Sequence, residues 1–142
     1  MYRHALVPLV AALAACSNIA PSPPLAPPAP GAGFVATPLS VMPVTGDAQR
    51  EAVIVSATLA VGASAPLHTH PGDCIGAVVE GNVEMRIPGQ EPRRYTAGQS
   101  FTNPRGTVHQ LVNVGNAPAR YLSTLIVDKG QPRTVPQAAP AR

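Results

Sequence analysis

Between Ala52 and Val127 the chain is cut into short runs rich in Val, Ile, Thr and Leu, separated by Gly, Pro or Asn, and none of them repeats its apolar residues at a helical interval. Runs of this kind read as strands, because β-branched side chains suit a pleated, half-buried surface, whereas a helix needs an apolar stripe at three- and four-residue steps. Strands are expected at Ala52–Ala60, Ile75–Val79, Val83–Ile87, Arg93–Thr96, Ser100–Thr102, Val108–Val112 and Ala119–Val127. Turns are expected at Glu80-Gly81-Asn82, Pro88-Gly89-Gln90, Ala97-Gly98, Pro104-Arg105-Gly106 and Val114-Gly115-Asn116. Many short strands at close spacing predict an all-β sandwich or barrel. Trp is absent and aromatics make up 4% of the chain, so the core must be built from Val, Leu, Ile and Ala.

The N-terminal part has a different character. Residues 1–15 hold a basic start at Arg3 and an apolar run from Ala5 to Ala15. That run is too short to span a bilayer, which takes about 20 apolar residues, but it suits a secretory signal. The tetrapeptide Leu13-Ala14-Ala15-Cys16 resembles a bacterial lipobox, in which the cysteine sulfur is acylated and the signal is cut off before it. Cys16 is therefore the expected lipidation site, and Ser17 after it resembles the outer-membrane sorting pattern. Residues 16–43, crowded with proline, are expected to form an extended tether with polyproline II character. The chain is then expected in the bacterial cell envelope, touching a membrane through its lipid anchor only and facing the periplasm. The folded domain is expected over 44–130, with a flexible tail at 131–142. Roughly 95 residues remain once signal and tether are removed, enough for one core. The net charge of +3 comes from scattered Arg and Lys with no dense stripe, which argues against a nucleic-acid partner.

Three of the four histidines lie in two short clusters. In His68-Thr69-His70 the two rings share one face of an extended strand, because side chains alternate between faces. His109 lies in a second, glycine-rich cluster, and if the two clusters converge, three imidazoles meet on one metal ion. Three protein ligands with an open position is the arrangement of a catalytic site, and imidazole suits Zn, Cu, Fe and Ni.

The spacing of both clusters resembles the two signature motifs of the cupin superfamily, from about Arg50 to about Asp128. Gly98, Pro104, Gly106, His109 and Asn113 occupy every fixed position of the second motif, and Gly62, His68, His70 and Gly81 match the first. Where cupins usually place a glutamate ligand this chain has Cys74, and the nearest carboxylate, Asp73, is one residue off and faces the other way on a strand. Cys74 has two readings: a thiolate fourth ligand, or a neutral thiol that fills space beside the site. With Cys16 acylated it has no cysteine partner in an oxidising compartment.

The resemblance implies a double-stranded β-helix, or jelly-roll, cupin barrel. It implies that His68, His70 and His109 project into the barrel mouth around one divalent transition metal (Fe, Cu, Zn, Mn or Ni). Gly76, Val78 and Leu111 share the inward parity and would line a pocket for a small organic ligand. Glu84 and Arg86 are expected on a solvated outer face. The function implied is that of a metal-binding cupin, with a metal-dependent, dioxygenase-like oxidoreductase as the leading reading, an isomerase or lyase equally compatible with the residues, and a non-catalytic metal or small-ligand binding lipoprotein as the alternative. Cupins often pair as homodimers by exchanging N-terminal strands. Val35 to Val44 could supply one, with Pro38 and Pro43 confining it to an edge.

Overall fold

A computed structural model describes residues 31–138, in which ten strands and no helix are found. Cys16, the expected signal segment and the first part of the expected tether lie outside the described residues. The strands are β1 (Phe34–Val44), β2 (Asp47–Leu59), β3 (His68–Thr69), β4 (Gly72–Glu80), β5 (Asn82–Arg86), β6 (Arg93–Thr96), β7 (Ser100–Asn103), β8 (Gln110–Asn113), β9 (Ala119–Asp128) and β10 (Val135–Pro136). All pairings are antiparallel, in a five-stranded sheet ordered β1-β2-β9-β4-β7, a three-stranded sheet β6-β5-β8 and the short pair β10-β3. The all-β jelly-roll expectation is met.

Alternation along the long strands builds the interior. In β4, Gly72, Cys74, Gly76 and Val78 are buried while Asp73, Ile75 and Ala77 are exposed, and β9 alternates in the same way from Ala119 to Val127. Their inward residues join Val53, Ala57 and Leu59 of β2, Val83 and Met85 of β5, and Phe101 and Leu111 in one apolar cluster. Burial of this branched and aromatic surface is the main favourable term for a domain of this size.

Two boundaries differ from the sequence expectation. The folded unit starts before residue 44, because β1 runs from Phe34 and pairs along its length with β2 of the same chain. Pro38 and Pro43 are tolerated there because β1 is the outer strand of its sheet, where a missing N–H breaks no ladder on the open side, and the register shifts beside each of them. The C-terminal segment is no free tail through residue 138. Val135 and Pro136 pair with Thr69 and His68, and the Gln137 amide donates to the Leu67 carbonyl at 2.9 Å.

Asn113 shows what the last motif position does. Its side-chain amide donates to the carbonyls of Leu59, Ala60 and Ala117 at 3.1, 3.1 and 2.8 Å, and its Oδ1 accepts from the Gly115 amide at 2.9 Å. It thus ties the end of β2 to the turn before β9 from a position only 2% exposed. Asn113→Ala strips these buried backbone groups of their partner and is expected to destabilise the fold by about 2–4 kcal/mol. The check is a lower urea midpoint at an unchanged slope.

Candidate metal centre

The histidines meet because the backbone pairs at the point where they stand. The His68 amide donates to the His109 carbonyl at 3.0 Å and the His109 amide to the His68 carbonyl at 2.9 Å, a two-residue antiparallel bridge. Residues directly opposite in such a bridge carry their side chains on one face. His70 follows two residues after His68 and shares that face, and its carbonyl accepts from the Gly106 amide at 3.1 Å. Gly106 has a φ of +75°, a left-handed conformation that L side chains rarely adopt, so the motif glycine lets the Pro104–Gly106 turn fold back onto His70.

The ring centroids lie 4.3 Å apart for His68 and His109, 4.8 Å for His68 and His70, and 5.3 Å for His70 and His109. One ligand atom from each lies within 4.8 Å of the others. Each ring is also held from behind. His68 Nδ1 meets the Pro66 carbonyl at 2.7 Å, His70 Nδ1 the Arg133 carbonyl at 2.7 Å and His109 Nδ1 the Thr107 carbonyl at 2.8 Å. A carbonyl only accepts, so the proton of each neutral ring sits on Nδ1 and the Nε2 lone pair is left for a ligand. Outer partners of this kind fix both tautomer and ring orientation at metal sites.

Burial favours the same state. All three rings are under 10% exposed, and desolvation pushes each below the ordinary histidine value, His109 down to about 4. The rings are therefore neutral at physiological pH and present lone pairs, a donor set that suits a divalent transition metal.

The site opens into a cavity of about 320 Å³, at the small end of the ~300–1,000 Å³ typical of ligand pockets. Val55, Ala57, Phe101, Leu111 and Leu125 give it apolar walls, and Phe34, Ala36 and Pro38 of β1 extend one side. Cys74 lines this cavity but stands outside the group of three mutually close ligand atoms. Its apolar burial pushes the thiol up to about 11, against a smaller opposing effect of the Ser123 hydroxyl. In the metal-free protein Cys74 is thus a neutral thiol on the cavity wall beside the three rings. Asp73 faces away from the cavity and accepts from the Arg105 amide at 3.0 Å.

Of the expected pocket residues, Leu111 lines the cavity, whereas Gly76 and Val78 do not. A Cβ on Gly76 would come within 2.2 Å of the Phe101 ring, so that ring occupies the space over the glycine and forms the wall itself. Val78 is 2% exposed and belongs to the core. Glu84 was expected to be solvated, yet it is buried. Its carboxylate takes the Arg86 and Arg94 guanidinium groups at 2.8 and 3.2 Å, which hold it below the usual range, and it plays no part in the cavity. Arg133 and Thr134 line the cavity from a segment in which the sequence carries no site signal.

The model of the cupin domain family matches residues 55–125, which is half of the chain. No curated protein sequence matches. Among solved structures, an oxalate oxidase in complex with the substrate analogue glycolate is 26% identical with a TM-score of 0.58, covering 72% of this chain and 54% of its own. This chain thus spans about half the length of that enzyme. The polyketide cyclase RemF from Streptomyces resistomycificus superimposes with a TM-score of 0.59 at 22% identity, covering 78% of this chain and 76% of its own. A cupin domain from Bordetella pertussis does so with a TM-score of 0.53 at 21% identity, covering 66% and 93%.

Proposed function

The chain belongs to the cupin domain family, and from that premise we propose that it holds one divalent transition metal on His68, His70 and His109 and acts as an oxidoreductase on a small organic molecule. The observation that carries this reading is the commitment of all three Nδ1 atoms to backbone carbonyls, which leaves three neutral Nε2 lone pairs free on rings whose ligand atoms lie within 4.8 Å of one another. The metal would supply Lewis acidity and a template for a reactant in its open positions. The protein's own part is to hold the rings in one tautomer, to exclude bulk water with apolar walls and to limit the size of what enters. The oxalate oxidase likeness supports an oxidative chemistry on a small oxygenated molecule.

A second reading, a non-catalytic metal or small-ligand binder, draws on a different observation. None of the described residues lining the cavity is a carboxylate, and burial keeps the Cys74 thiol protonated near neutral pH in the metal-free protein, so the walls offer no ready general base besides the histidines. In either case the Leu13–Cys16 motif supports export and attachment to the bacterial envelope through a lipid on Cys16. Elemental analysis of protein made without a histidine tag is expected to find about one transition metal per chain. An empty, normally folded chain overturns the metal reading. Dioxygen consumption by the loaded protein with a small organic substrate separates the enzyme from the carrier.

A further inference from the structure

Besides the three histidines, the cavity wall carries a second set of polar atoms. Tyr121, Ser123 and Leu125 alternate along β9 with their side chains inward, and Cys74 on the neighbouring β4 stands across from Leu125. Ser123 is 8% exposed and Tyr121 6%, and both line the cavity. The Ser123 hydroxyl acts on the Cys74 sulfur. The Tyr121 hydroxyl is different. Burial and the neighbouring Cys74 both raise its pKa, and none of the side-chain hydrogen bonds among the described residues involves it. It is nonetheless not a sealed polar orphan, since no fully enclosed side-chain oxygen or nitrogen among the described residues lacks a partner. A phenol more than nine-tenths buried, facing a cavity and left without a protein acceptor, is a donor awaiting one, because a buried Tyr O–H ordinarily finds a partner.

The charges around the cavity narrow what that acceptor is. Among the described residues Arg133 is the one permanently charged side chain on the wall, and its Nε and Nη2 both lie 3.3 Å from Glu51 Oε1. No free cation among the lining residues is left to neutralise an anionic ligand away from the histidines. The remaining wall is hydrocarbon and aromatic ring. We infer that Tyr121, with Ser123 beside it, is a hydrogen-bond-donating subsite that selects a small, uncharged and otherwise apolar molecule carrying a carbonyl or similar acceptor oxygen, rather than a carboxylate such as oxalate. This deepens the proposed reading and names the ligand class for the same cavity.

Acetophenone, ethylbenzene, benzoate and oxalate are suitable probes, because the first two differ in one acceptor oxygen and the last two carry charge. Calorimetric titration of the purified full chain is expected to show acetophenone binding about tenfold tighter than ethylbenzene, a difference of ~1.4 kcal/mol, with the two acids weaker still. Tyr121→Phe removes one oxygen and is expected to bring the two neutral probes to equal affinity without changing metal content or melting temperature. The inference is overturned if wild type shows no preference for the ketone, if an acid binds best, if no probe binds, or if the preference survives in Tyr121→Phe. The wild-type comparison needs no variant, so misfolding of Tyr121→Phe leaves it decisive. Metal content measured on the same samples keeps the two readings apart: an empty protein that prefers acetophenone sinks the metal centre alone, and a loaded one without the preference sinks the subsite alone.

Discussion

His109→Ala is expected to abolish retention of metal through gel filtration while leaving the protein folded. His109 supplies one of three clustered donors, and its loss costs more than the roughly 10–100-fold in affinity lost when only an outer partner of a ligand is removed. The fold should survive because the bridge between residues 68 and 109 is made by main-chain amides and carbonyls, which alanine keeps. A pH signature separates loss of the ring from general damage. In the metal-free wild type, the folded His109 ring titrates near 4 and the unfolded one near 6.5, so between those values the unfolded chain binds more protons and stability falls as pH falls. From pH 7 to pH 5 this amounts to about 2 kcal/mol for His109. Metal-free His109→Ala should therefore lose less melting temperature over that interval than metal-free wild type. If the variant keeps its metal, the centre is not where the three rings meet. An equal acid loss in the two proteins would mean that the ring is not desolvated as the fold implies.

The centre was legible in the sequence because its determinants are spacings. His68 and His70 share a face by strand parity, and the Gly98–Asn113 motif places His109 after a turn that only residues such as Gly106 fold comfortably. Strand existence was equally readable, since β4, β6 and β9 alternate or begin and end at clear turn residues. What escaped is what main-chain atoms and neighbours decide. The carbonyl of Arg133 that holds His70 has no side-chain signature, and β10 is two residues long and contains a proline. Parity alone put Gly76 on the pocket wall, but a glycine beside Phe101 yields its place to the ring. Glu84 looked solvated because a charged residue ordinarily is, and only the packed fold shows Arg86 and Arg94 closing over it. Motif position placed Cys74 beside the histidines, but position does not report the apolar burial that keeps the thiol protonated in the metal-free protein.

The C-terminal segment gives the second large effect. Truncation after Lys129 removes the Arg133 carbonyl that accepts from His70 Nδ1, the β10 pairing to His68 and Thr69, and the Gln137 amide that donates to Leu67. It also removes Arg133 and Thr134 from the cavity wall and leaves Glu51 without its guanidinium partner. The core cluster contains no residue beyond Val127, so the barrel itself should remain, with a modest loss of melting temperature. His70, however, loses the acceptor that fixes its tautomer and its orientation, while His68 and His109 keep theirs from Pro66 and Thr107. Metal affinity is expected to fall about 10–100-fold in the truncated chain, read by competition with a chelator. Arg133→Ala tests which atom matters, because it keeps the main-chain carbonyl and deletes only the guanidinium. It should hold metal like wild type, and a loss matching that of the truncation would assign the effect to the side chain and its pairing with Glu51 rather than to the backbone clamp on His70.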